Sequence, residues 1–298
     1  MQQQRRSTTA RRDLSKHDNF EQVSPEVGLL DESGFDKALS EDADGALSLL
    51  ADLTGATDQK LAQLARRLAG RLALDMTRSG PATGRGVRRL RRDRADRSEG
   101  DIDIDESLDA LITARAQRRP PPLEELVTRR WGRPDVALCL LIDRSGSMGG
   151  ERLATAALAA AACSWRCGDD YSVLAFSDKM LVVKGQNEIR KPEEVMDDLF
   201  SLRGFGPTDM SLAFRVARDQ LSSARASRRL AIVLSDCRPT AGGDPAHSAG
   251  ALDELAVLAP ADDAEDAVEL AAAVGARCVL LRGAADIPSA FIRLMESV

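Results

Sequence analysis

From Val136 onward the chain alternates between short unbroken apolar runs and longer stretches with an apolar residue every three or four positions. Val136–Ile142, Tyr171–Phe176, Leu230–Ser235, Leu255–Leu258 and Arg277–Leu281 have strand length and many branched residues, so they read as buried strands. Met180–Lys184 follows its neighbour after only a few residues, and that pair reads as an antiparallel hairpin at a sheet edge. Helices are predicted over 151–167, 192–202, 208–224, 262–274 and 287–296. In the helix after Thr208, the residues Met210, Ala213, Phe214, Ala217 and Leu221 share one face, which would lie on the sheet and hold Thr208 at its rim. The Ala-rich segment Thr155–Ala162 would let a second helix approach the sheet closely. This alternation predicts an α/β fold: a doubly wound, mostly parallel sheet with one antiparallel edge strand and helices on both faces.

Upstream the pattern changes. Residues 1–27 are polar with little periodicity and read as a disordered lead. Residues 28–78 form a helical region with helices over 44–53 and 58–77; Leu61, Leu64, Leu68 and Leu72 share a face of the second, and Thr57 or Asp58 can cap it. Such a stripe marks a small helical domain, or a helix docked on the main domain, in preference to a partner-binding helix. Residues 79–133 read as an Arg-rich linker with a short strand and helix. Gly80-Pro81-Ala-Thr-Gly84 is a linker signal, and Arg85, Arg88, Arg89, Arg91, Arg92, Arg94 and Arg97 crowd the stretch behind it. Asp101–Glu106 is not a calcium loop, because it lacks the sixth-position glycine and has Ile112 at the twelfth; a short strand and a helix through Leu108, Leu111 and Ile112 fit better. The main domain spans 134–298.

Charge supports that boundary. The 298 residues carry a net charge of -6, but residues 135–298 hold 17 basic against 24 acidic residues while residues 1–134 hold 24 against 23. With 43% hydrophobic residues the chain can bury a sizeable core as one or two domains. No apolar run approaches the roughly 18 residues of a membrane span. Met1-Gln-Gln-Gln-Arg-Arg has no apolar segment behind it, so a cytoplasmic protein is expected. The five cysteines read as buried free thiols of a reducing compartment; Cys163 and Cys167 share a helix but lack further ligands at metal spacing.

The candidate chemistry follows the first strand of the main domain. Asp143-Arg-Ser145-Gly-Ser147 sets a carboxylate and two hydroxyls beyond its carboxyl end, where open α/β sheets bind ligands. Thr208 opens a helix, and Asp236 ends the run Leu230–Ser235. Asp143, Ser145, Ser147, Thr208 and Asp236 together offer five oxygens, which suit a hard cation such as Mg²⁺, with Mn²⁺ or Ca²⁺ as alternatives.

Asp143-x-Ser145-x-Ser147, then Thr208, then Asp236 resembles the metal-ion-dependent adhesion site of von Willebrand factor type A (VWA) domains. Leu234-Ser-Asp-Cys-Arg-Pro-Thr240 is similar to that family's stretch around its last aspartate. The resemblance covers roughly residues 134–298. An Arg-rich stretch and a Gly-Asp-Ile-Asp-Ile-type segment before this domain are also similar to magnesium-chelatase D subunits and to bacterial VWA proteins paired with MoxR-type AAA+ ATPases. The resemblance implies Ser145, Ser147 and Thr208 as direct ligands, with Asp143 and Asp236 holding bridging waters. It implies a non-enzymatic, Mg²⁺-dependent protein–protein interaction module. The partner would be an AAA+ ATPase or its client, contacting the metal through an Asp or Glu, and the task metal insertion, cofactor maturation or complex remodelling. Cys237 departs from the pattern, standing where the family commonly has glycine.

Two other function classes compete. Metal-assisted phosphoryl or ester hydrolysis at Asp143 and Asp236 is the enzyme alternative; an aspartyl phosphotransferase of the haloacid dehalogenase kind would want a second acid two residues after the first, where Ser145 stands, there is no G-x-S-x-G elbow, and His17 lies in the polar lead and His247 in a loop of small residues. Nucleic-acid binding through Arg85–Arg97 is disfavoured because no aromatic residue is interleaved and Asp93 and Asp96 dilute the charge. No G-x-x-x-x-G-K-[ST] loop is present, so ATP chemistry would belong to a partner.

Overall fold

The computed structural model describes residues 9–79, 89–95, 101–132, 136–144, 150–202, 204 and 206–295. It groups Met1–Thr83 with Val136–Val298 in one compact unit and Gly84–Asp135 in a second. In chain order the elements are α1 (Arg11–Leu14), α2 (Phe20–Val23), α3 (Glu32–Glu41), α4 (Ala43–Leu53), α5 (Gln59–Ser79), β1 (Arg89–Arg94), β2 (Asp101–Ile102), α6 (Ile104–Ala116) and β3 (Val127–Gly132). Then come β4 (Val136–Asp143), α7 (Gly150–Cys167), β5 (Tyr171–Phe176), β6 (Met180–Lys184), α8 (Pro192–Phe200), α9 (Met210–Ser222), β7 (Arg228–Leu234), α10 (Pro245–Ala249), β8 (Glu254–Pro260), α11 (Glu265–Val274), β9 (Arg277–Leu281) and α12 (Ile287–Met295). Among the described residues no helix is long and apolar enough to cross a membrane.

The larger unit is built on a six-stranded sheet in the order β6-β5-β4-β7-β8-β9. All neighbours are parallel except β5 and β6, the antiparallel edge pair. Period-two alternation divides each strand between two cores. On β4, Val136, Leu138, Leu140 and Ile142 face the core that contains α7 and α12, while Ala137, Cys139 and Leu141 face that of α9 and α11. A strand apolar on both faces has no polar alternation, which is why these strands stand out as unbroken runs. The chain leaves β4 toward β5, then crosses back to β7 on the other side of β4, so the order reverses between β4 and β7.

The N-terminal helices complete this unit as a further layer. α4 and α5 pack on the outer side of α7, whose residues Ala156, Ala157, Ala159, Ala160 and Ala161 are buried and let three helices come close. Leu49, Leu50 and Leu53 of α4 and Leu61 and Leu68 of α5 belong to the same core as the inner face of the sheet. A side-chain tie reaches the far end of the chain: the Asp44 carboxylate accepts a 2.9 Å hydrogen bond from the Ala285 amide. It lies so close to Gly283 that any side chain there would collide with it. Residues 9–27, expected as part of the disordered lead, instead form α1 and α2, because Leu14, Phe20 and Val23 are buried against this layer.

Two polar clamps were not foreseen. At the edge, Lys184 of β6 turns inward and is fully buried, its Nζ donating to the carbonyls of Tyr171 (2.6 Å), Asp169 (3.2 Å) and Gly185 (3.2 Å) and lying 4.1 Å from the centre of the Tyr171 ring. Burial pushes its ammonium pKa down. An inward charge on an edge strand discourages pairing with another sheet. At the amino ends of β7 and β8, Arg228 donates from Nε and Nη2 to both oxygens of Glu254, each at 2.8 Å. That forked pair holds the Glu254 carboxyl below its ordinary 4.5. A depressed acid pKa stabilises the fold above the unfolded value and loses that contribution as pH falls through the folded one. Glu254→Gln is therefore expected to cost roughly 0.5–1 kcal/mol at neutral pH, the group being partly solvated. The deficit should vanish as the pH is taken well below 4.5, read by urea unfolding at both ends; a pH-independent deficit would contradict this account.

The smaller unit carries a three-stranded antiparallel sheet in the order β1-β3-β2. Arg89–Arg94, expected within a linker, is a strand: it pairs residue by residue with Gly132–Val127. Gly80–Gly84, Arg85, Arg88 and Arg97 lie outside the described residues. α6 begins on Asp103, whose carboxylate accepts from the Glu106 amide, and is stitched to β3 through Ser107.

Candidate metal centre

The reversal of strand order between β4 and β7 opens a crevice at their carboxyl ends. Parallel register pairs Ile142 with Leu234, so Asp143 and the residues after Leu234 emerge side by side. Ser235 Oγ donates to Asp143 Oδ2 at 2.6 Å and accepts from the Cys237 amide at 2.9 Å. One hydroxyl thus links the two strand ends and fixes the Asp143 carboxylate. Asp236 is held by its own turn: its Oδ1 accepts from the Arg238 amide at 3.0 Å. Arg238 is itself pinned to Asp263 (2.7 Å) and Asp266 (2.9 Å), and these bonds, Asp266 first, hold its guanidinium pKa up.

Thr208 is buried just before α9 rather than inside it, because Asp209 takes the capping position and accepts from the Leu212 amide. Three hydrogen bonds tie Thr208 to the segment after Asp236. Its amide donates to Thr240 Oγ1 at 2.8 Å, and its carbonyl accepts from the amides of Thr240 and Ala241, both at 3.1 Å. The Asp209 amide donates to the Ser177 carbonyl at 3.0 Å, anchoring the same loop to the end of β5. Gly242, at φ +86, passes so close to the Asp209 carboxylate that no side chain fits there.

Asp143 and Asp236 line one cleft of about 510 Å³, together with Ser235, Arg152, Thr155 and Asp262. Neither histidine lines it; His17 instead meets Asp52 at 3.0 Å. Ser145 and Ser147 lie outside the described residues. Among the described residues no group of three or more His, Cys, Asp or Glu could hold a metal ion.

Cys237 sits at φ +61, the left-handed region that glycine enters freely and other residues enter at a cost of about 1–2 kcal/mol. The bend after Asp236 demands this conformation, and the hydrogen bond that the Cys237 amide donates to Ser235 Oγ holds it. Burial, with Asp236 adjacent, pushes the Cys237 thiol pKa up, so it stays protonated and fills space. All five cysteines are free; Cys139, Cys163 and Cys237 are buried as expected, while Cys167 and Cys278 are only half-buried. Ser235 and Thr240 were not anticipated as parts of the site. The one available signal was a hydroxyl at the end of an otherwise apolar run.

Comparison with known proteins adds the family. The family described as VWA domain containing CoxE-like protein matches residues 76–281, more than half of the chain. No curated protein matches it. Among solved structures, a von Willebrand factor type A protein from Catenulispora acidiphila is 17% identical with a TM-score of 0.44, over 57% of this chain and 44% of that one. Proximal thread matrix protein 1 from the mussel byssus, with a zinc-occupied MIDAS motif, is 13% identical with a TM-score of 0.45, over 54% of this chain and 47% of that one. Manganese-loaded TRAP protein of Plasmodium vivax is 16% identical with a TM-score of 0.41, over 53% and 73%. The chain thus spans less than half the length of the first two. By the family match over residues 76–281, this chain belongs to the VWA domain containing CoxE-like proteins.

Proposed function

We propose that this protein is a non-enzymatic interaction module that docks another protein through a divalent cation, Mg²⁺ in the first place, held by Asp143, Ser145, Ser147, Thr208 and Asp236. The observation that carries this reading is the Ser235 bridge, which locks the carboxylate ending β4 to the loop bearing Asp236 at the mouth of one shared cleft. Ser145, Ser147 and Thr208 would supply neutral oxygens, with Asp143 and Asp236 orienting waters. When bound, the cation supplies an open, electrophilic position for a partner's Asp or Glu. Ser235 and the Thr208–Thr240 bonds keep the donors in place before the partner arrives, which lowers the ordering cost of docking.

The partner we infer is an AAA+ ATPase or that ATPase's client. The chain would then act as adaptor in metal insertion, cofactor maturation or complex remodelling, with ATP chemistry left to the partner. Affinity capture with the full chain tests this, comparing Mg²⁺ with EDTA and wild type with Ser145→Ala/Ser147→Ala. An AAA+ ATPase retained only with metal and intact serines supports the reading. Capture indifferent to both overturns it.

A further inference from the structure

At the carboxyl ends of the strands, one face of the large sheet is closed and the other is open. On the α9 side Val233, Met210 and Cys237 are all buried. On the α7 side the strands end unevenly. β7 stops at Leu234, which pairs with Leu258, whereas β8 runs on to Pro260, paired with Leu281 of β9. That step leaves the cleft of about 510 Å³, whose apolar lining is Ile142, Leu234, Pro260, Ala261 and Leu281. Ile142 and Leu281 belong to the core shared with α7 and α12, and Leu234 packs against it only half-buried. The cleft is therefore the open end of that core.

Its walls are held in place by the backbone. The Ala261 amide donates to the Leu281 carbonyl at 2.8 Å, and the Arg282 amide donates to Asp286 Oδ2 at 3.0 Å. A hollow of this size falls within the roughly 300–1,000 Å³ of ligand sites, and a pre-formed one can be filled at little ordering cost. Charge then indicates what fills it. Arg282 on the rim is matched by Asp286, to which its Nε and Nη2 donate at 3.2 Å. Arg152 of α7 and Asp262 after β8 bring one charge of each sign to the lining. Asp143 and Asp236 remain, and a bound divalent cation would offset their two charges. A cleft so balanced gives a charged side chain little, while an apolar one gains from leaving water.

Resting on the metal-docking function proposed above, we infer that the cleft is a specificity pocket for that same partner. The acid that meets the metal has a bulky apolar neighbour in the partner's chain, and this side chain enters the cleft against Ile142, Leu234, Pro260 and Leu281. Burial of a leucine-sized side chain there tightens docking by about tenfold or more. Without the cation, Asp143 and Asp236 repel the partner's acid, so the pocket is filled only when metal is bound.

NMR titration of the full chain, with its isoleucine and leucine methyl groups labelled, tests this with short peptides blocked at both ends. One carries a glutamate between alanines; the others carry leucine directly before or directly after the glutamate. In Mg²⁺ a leucine peptide should bind at least about tenfold tighter than the alanine peptide and shift the methyl signals of Ile142, Leu234 and Leu281. In EDTA none of the peptides should bind. Ala261 is exposed at the edge of the cleft, so Ala261→Trp fills it from the rim and should erase the leucine advantage; circular dichroism checks that this variant is folded. Equal affinities for all the peptides in Mg²⁺, or binding that leaves those three methyl signals unmoved, would overturn the pocket while leaving the metal-docking function standing. No peptide bound even in Mg²⁺ would overturn both.

Discussion

Asp143→Asn is expected to weaken Mg²⁺ binding by roughly 10- to 100-fold, the range seen when a group that orients metal ligands is removed. The asparagine oxygen can still accept the Ser235 hydroxyl, so the strand-end bridge and the stability of the fold should be nearly kept. Asp143→Ala should weaken binding at least as much and also leave the buried Ser235 hydroxyl without that acceptor, at about 1–3 kcal/mol. Calorimetric titration with Mg²⁺ and Mn²⁺, paired with denaturant unfolding of the same samples, separates the two effects. A wild type that binds no divalent cation, or an Asn variant that binds as well as wild type, would remove the basis of the proposed function.

Leu49→Ala is the second change with a large expected effect. Leu49 is fully buried on α4, in the core shared by α7 and the inner face of the sheet. Truncating such a leucine typically costs about 2–5 kcal/mol, as the lost transfer energy plus a cavity. Because α4 and α5 are a layer of the larger unit, the loss should move that whole unit in one transition. Trp165 lies on α7 and Trp131 on β3, so a Trp131→Phe background makes fluorescence report the larger unit alone. A Trp165 transition unmoved by Leu49→Ala would show that the N-terminal helices fold apart from the sheet.

The strands of the large sheet were the most legible part of the chain. β4, β5, β7 and β8 are largely buried, and burial on both faces forces unbroken apolar runs that few other elements produce. The inward face of α9 was legible for a related reason: Met210, Ala213, Phe214, Ala217 and Leu221 repeat at helical spacing and all five are buried. α1 and α2 were not legible, since four residues are too short to show a period and their burial depends on a layer built from later sequence. β1 was hidden for a different reason. A run of arginines has no apolar alternation, and Arg89–Arg94 becomes a strand because β3 offers it a hydrogen-bonding edge.

In α6 the apolar positions Leu108, Leu111 and Ile112 predict a helix whichever way they turn, and the Ser107 bonds to Val127 with the burial of Ala114 leave Leu108 and Ile112 exposed. At the candidate metal centre, Asp143 and Asp236 could be read as the ends of two apolar runs, and Thr208 as the threshold of a helix, because each follows from local pattern. Ser235 and Thr240 could not, because their roles arise from partners 92 and 32 residues away. The sequence by itself determined which residues form the strands of the large sheet, which of them end in a carboxylate, and that Cys237 breaks a pattern. Tertiary structure alone decided that β4 and β7 are neighbours, that a serine hydroxyl joins their ends, and that the bend after Asp236 holds Cys237 in the left-handed region. Local propensity acts over a few residues, whereas these contacts exist only once distant segments have been packed together.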